Sequence, residues 1–64
     1  MKPLTDYQRF VLLTVSRCDG QQQAADDLGI ALSTLKDTLL TVRRKLGVRT
    51  TAAALYLVLR EKAA

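Results

Sequence analysis

Histidine and tryptophan are both missing from the 64-residue chain, and cysteine occurs once. Without histidine, His-bearing zinc fingers and Ser–His or Cys–His nucleophilic catalysis are excluded. Cys18 alone cannot close an internal disulfide and has no CxxC companion, which fits a reducing compartment. Its plain reading, a partly buried small hydrophobe, outweighs a redox role. There is no glycine-rich phosphate loop and no catalytic carboxylate pair. Asp26 and Asp27 are neighbours in sequence only, on an exposed helix face. The longest apolar run, Ala52 to Leu59, has eight residues and contains Tyr56. A membrane span needs about 20. No signal peptide, internal repeat or low-complexity segment occurs. These absences argue against an enzyme and imply no metal, cofactor, membrane or small-molecule partner.

What remains is one short, moderately apolar, basic domain. Hydrophobic residues make up 48%, so composition does not predict disorder. A chain this short builds a small core of marginal stability. The net charge is +4 and the pI about 9.7. That charge is local. Lys36, Arg43, Arg44, Lys45 and Arg49 against Asp37 account for all of it, and the other charges cancel. A local excess is what an electrostatic footprint for nucleic acid requires, although a charged helix is more often simply solvated.

The stretch from Gly20 to Val48 organises the chain. At about 100° per residue, Leu35, Leu39, Val42 and Leu46 form one apolar stripe of a helix over 32–46. Ser33, Asp37, Leu40, Thr41 and Arg44 lie opposite. Lys36 and Arg43 flank one edge of that outer face, and Thr34, Thr38 and Lys45 the other. Before it, 21–28 reads as a helix with Ala24, Ala25 and Leu28 inward; small residues there allow a close crossing. Gly29 breaks it, since glycine enters the left-handed region cheaply, and Ile30 plugs the corner. This is helix, short turn, helix. A first helix spans about 5–17, capped by Thr5, with Tyr7, Val11, Leu12 and Val15 toward the core and Phe10 and Leu13 left over. Gly47 ends the third helix. Thr50 or Thr51 opens the fourth, about 50–62, whose first half is apolar all round and so asks for burial on every side. Gln21 and Gln22, at a helix N-terminus, suit a phosphate.

Leu4-Thr5, Leu12, Val15, Ala25, Leu28-Gly29-Ile30, Thr34, Lys36 and Lys45-Leu46-Gly47-Val48 carry a resemblance. With Arg49 and Thr50 following, they resemble the LuxR/GerE-type DNA-binding domain, without a gap from Leu4 to Val48. The resemblance covers nearly the whole chain. Several positions depart from the family. Gln8 stands where Glu is usual and Ala31 where a Ser cap is frequent. Asp37, Thr38 and Thr41 replace a Val or polar residue, a His and an Asn. Those three bear on DNA sequence preference.

The expectation is an all-α, four-helix LuxR-type helix-turn-helix domain, 1–64, standing alone. It would be a cytoplasmic transcription regulator that binds double-stranded DNA as a homodimer, with its third helix in the major groove. Ser33, Thr34, Lys36, Asp37, Leu40, Thr41 and Arg44 would lie nearest bases or adjacent backbone. Arg43, Lys45 and Arg49, with Gln21 and Gln22, would meet phosphates. The family often dimerises through its last helix, which points to Ala53, Ala54, Leu57 and Val58. A signal-receiving domain, usual in the family, would be absent, leaving regulation to abundance, dimerisation or a partner. The competing reading is an antagonist that pairs with a larger LuxR-type regulator through spare apolar surface. A fold resembling the last DNA-binding domain of sigma factors is less well matched, for want of KLGV.

Overall fold

Each helix boundary is set by local chemistry. In the computed structural model, which describes residues 3–63 (side chains through 61), four helices follow one another. They are α1 (Asp6–Arg17), α2 (Gln21–Leu28), α3 (Leu32–Leu46) and α4 (Thr51–Ala63), with no strand among the described residues. The lead-in at Met1 and Lys2 lies outside these residues. Thr5 opens α1 with a reciprocal cap. Its hydroxyl accepts from the Gln8 N–H at 3.1 Å, and the Gln8 side-chain oxygen accepts from the Thr5 N–H at 3.1 Å. Thr50 opens α4 by accepting from the Ala53 N–H at 3.0 Å. The starts of α2 and α3 have no side-chain cap, because Gly20 and Ala31 occupy the cap positions.

Two helices stop in the same way. After α2, Gly29 sits at φ 69°, the Ile30 N–H reaches the Ala25 carbonyl and the Gly29 N–H the Asp26 carbonyl. After α3, Gly47 sits at φ 70°, the Val48 N–H reaches the Arg43 carbonyl and the Gly47 N–H the Arg44 carbonyl. This paired pattern is a Schellman stop. It needs the left-handed conformation at the glycine and a hydrophobic residue just after it. Ile30 and Val48 fill that role and pack against the core. Arg43, Arg44 and Lys45 in the last turn of α3 complement the negative end of its dipole.

The core is wholly apolar: Leu4, Val11, Leu12, Ala24, Ala25, Leu35, Leu39, Val42, Ala54 and Val58. α3 supplies three of these and touches all three other helices, whereas α2 and α4 do not touch each other. Leu46, expected in the buried stripe, packs half-buried at its end. One expectation fails here. Tyr7 is 50% exposed, because α1 turns Val11 and Leu12 inward and leaves Tyr7 on the side with Phe10.

One polar bond crosses the core edge. Lys45 Nζ donates to Gln8 Oε1 at 2.9 Å, partly buried, and joins α3 to α1. Glu at position 8 would make this bond charge-assisted and place an anion in the first turn of α1. Gln8→Glu is therefore expected to stabilise the fold by about 1 kcal/mol, roughly 4–8 °C in Tm for a domain of this size. The gain should vanish on acidification as the carboxylate protonates. Thermal unfolding at neutral and acid pH checks both parts.

Candidate nucleic-acid interface

α3 is positioned by its buried stripe, so its opposite face is fixed outward. Ser33, Thr34, Lys36, Asp37, Leu40, Thr41 and Arg44 are all exposed, and Arg49 follows in the exposed turn. Asp37 and Arg44, seven residues apart, lie along the middle of that face, with Leu40 beside them at 38% exposure. Thr41 donates its hydroxyl to the Asp37 carbonyl at 3.1 Å, and Thr38 to the Thr34 carbonyl at 3.0 Å. Those hydroxyl protons are engaged by the helix itself, so toward solvent both groups act as acceptors.

The cations divide into two groups. Lys36, Arg44 and Arg49 are exposed and meet no acid in the ion pairs of the described residues, where Arg9 and Glu61 come to 3.7 Å. Lys45 is placed differently from the sequence expectation, and Arg43 is partly engaged by the fold while still lining a cleft beside the outer face. Lys45 is half-buried with its ammonium on Gln8, so it supports the fold rather than reaching out. Arg43 is half-buried too. Its Nη1 donates to the Arg49 carbonyl at 3.2 Å, tying the end of α3 to the turn before α4, while its Nε is buried without an acceptor.

A cleft lies beside the outer face. α2 and α4 flank α3 without meeting, and Lys36, Leu39 and Arg43, on one strip of α3, line the gap between them. Gln21 at the start of α2 and Thr51 at the start of α4 complete a half-open cavity of about 200 Å³. Of the glutamines, Gln22 donates to Asp26 at 3.0 Å and Gln23 accepts from the Asp19 N–H at 2.7 Å, whereas Gln21 makes no such bond. Sequence reasoning missed Thr51 here. It lies 30 residues from Gln21, and only the packing of three helices brings them together.

The dimer expectation on α4 needs correction. Ala54 and Val58 are core residues, 0% and 3% exposed, so they cannot meet a second molecule. Ala53 and Leu57 are half-buried. The outward stripe is Ala52, Tyr56 and Leu59, the last two 64% and 48% exposed. Phe10 is also exposed, while Leu13 is half-buried.

Cys18 lies away from this surface. Its thiol donates to Asp27 Oδ2 at 3.3 Å. Desolvation first, then the carboxylates of Asp27 and Asp19, raise its pKa above the ordinary thiol value. A thiol held protonated is a poor nucleophile. Among the described residues no group of His, Cys, Asp and Glu is arranged to hold a metal, and no helix is long and apolar enough to cross a membrane. The chain matches no protein-family model, no curated protein and no solved structure.

Proposed function

We propose that the chain is a LuxR-type helix-turn-helix domain that binds duplex DNA as a transcription regulator in the cytoplasm, and is not an enzyme. The observation that carries this reading is the division of α3. One side is sealed in the core, and the other offers Ser33, Asp37 and Thr41 with Arg44 among them, Lys36 at one edge and Arg49 just past its end, three cations with no ion pair among the described residues. Such a helix suits the major groove, where small side chains meet base edges and Lys and Arg hold phosphates. The stops at Leu28-Gly29-Ile30 and Leu46-Gly47-Val48, where the resemblance is strongest, fix the length and tilt of that helix.

The reading extends to a homodimer through Ala52, Tyr56 and Leu59. Burying what is exposed of Tyr56 and Leu59, with the Ala52 methyl, contributes on the order of 1–2 kcal/mol per large side chain before the cost of association, which supports at most a weak dimer. Two recognition helices about 34 Å apart then imply an inverted-repeat site.

A second reading is favoured by Asp37 and Leu40 at the centre of the outer face. A carboxylate approaches phosphates poorly and an exposed leucine asks for apolar contact, so the domain would pair with a larger LuxR-type regulator and block it. Binding to mixed genomic fragments at low and moderate salt separates the two. Lys36, Arg44 and Arg49, the free cations of this face among the described residues, predict a slope of log affinity on log salt near −3 per protomer, at about −0.9 per phosphate neutralised. No binding at low salt by folded protein would replace the DNA reading with the antagonist.

Asp37→Asn removes the central negative charge without touching the core. Affinity for random DNA is expected to rise several-fold with the melting curve unchanged. Unaltered affinity would mean that Asp37 does not face DNA. Tyr56→Glu, at an exposed position, is expected to leave a folded monomer with weakened DNA binding. Sedimentation of the unmodified protein at high micromolar concentration is the reference, and a monomer there would reserve the Tyr56 and Leu59 stripe for a different protein.

A further inference from the structure

The cleft between α2, α3 and α4 has a chemistry of its own. Its lining residues bring two cationic side chains, Lys36 and Arg43, and no acid. Lys36 is exposed and makes neither a side-chain hydrogen bond nor an ion pair among the described residues. Arg43 keeps a buried Nε without an acceptor, although its Nη1 is engaged by the Arg49 carbonyl. Gln21 brings an unengaged side-chain amide, and Thr51 a hydroxyl. Gln21 begins α2, which has no side chain capping it, and Thr51 begins α4, whose Ala53 N–H is already taken by the Thr50 hydroxyl. Leu39 adds an apolar side chain to the lining.

We propose that this cleft seats a single phosphate group, held by Lys36 and Arg43 and closed in by Gln21 and Thr51. Several hydrogen-bond donors and two positive charges around a small half-open space match a tetrahedral oxyanion. The proposal deepens the DNA reading if the phosphate belongs to a duplex backbone. It stands without that reading if the phosphate is carried by a small molecule. In the duplex case the cleft lies at the edge of the recognition face, so one backbone phosphate would lock the register of α3 in the groove.

The test has two arms. In the first, isotope-labelled protein is titrated with inorganic phosphate, and with sodium chloride at matched ionic strength, while amide shifts are followed by NMR. Saturable shifts confined to Gln21, Gln22, Lys36, Arg43, Thr51 and Ala52 are expected with phosphate alone. Lys36→Gln should weaken them by about tenfold, the loss of one charge-assisted hydrogen bond. Lys36→Arg should restore most of the affinity, and Arg44→Gln, outside the cleft, should change little. In the second arm, single methylphosphonate substitutions are walked along a bound duplex. One position per half-site should cost affinity for the unmodified protein and cost nothing further for Lys36→Gln. Such a position assigns the seat to a backbone phosphate; a saturable titration without one assigns it to a small phosphorylated ligand. Shifts equal in chloride or spread over Arg44 and Arg49, together with no sensitive position in the duplex, would overturn the proposal. Failure to bind any duplex at low salt, with a saturable titration intact, removes the DNA reading and leaves the seat.

Discussion

Ala24 and Ala25 have no exposed surface although each offers only a methyl group. That requires the backbone of α2 to lie close against its neighbours, α1 and α3, since short side chains cannot reach a distant partner. The remaining geometry depends on this close crossing. A larger side chain at either position would overpack a filled core, at a typical cost of 1–3 kcal/mol, and would push α2 away. The start of α2 would then leave its place beside Lys36, and the cleft would open. Close crossing also demands a tight turn, which explains why α2 ends on a left-handed glycine with Ile30 folded back beneath it.

The helices were readable because their ends are written in local chemistry. Thr5 with Gln8, Thr50, Gly29 with Ile30 and Gly47 with Val48 each act within a few residues, so spacing alone fixes them. The buried stripe of α3 was readable for a related reason. Its apolar and polar residues alternate at the helical period, so the wheel has contrast. α4 lacks that contrast. From Ala52 to Leu59 every residue is apolar, and only packing decides that Ala54 and Val58 go in while Tyr56 and Leu59 stay out. Tyr7 failed similarly, since an aromatic residue near a helix start fits either side until the neighbouring helices are placed.

Long side chains limit what sequence can say about a site. Five cations cluster between Lys36 and Arg49, and by charge alone they are equivalent. The fold sorts them. Lys45 is drawn back to Gln8 on α1, Arg43 is folded against the turn at Arg49, and Lys36, Arg44 and Arg49 remain outward. No periodicity predicts this, because each ammonium or guanidinium lies several bonds from its backbone and its partner sits on another element. The cleft is harder still to foresee, since its lining comes from α2, α3 and α4 at once.

The sorting gives the outer surface a definite electrostatic plan. Positive charge sits in the cleft at one edge, at Arg44 on the middle line of the face and at Arg49 past the end of α3, while Asp37 stands two turns before Arg44 with the Thr41 hydroxyl, an acceptor toward solvent, nearby. On the proposed DNA reading, such a surface would draw a duplex in through phosphates at its margins. At the centre Asp37 would disfavour a base edge that offers only acceptors, as guanine does, and would accept from the amino groups of cytosine and adenine, whereas Arg44, seven residues on, would suit guanine. Leu40 would add contact with a thymine methyl at no electrostatic cost. On that reading Asp37 would act twice, lowering affinity for any duplex through repulsion of phosphates and setting which base edges are rejected.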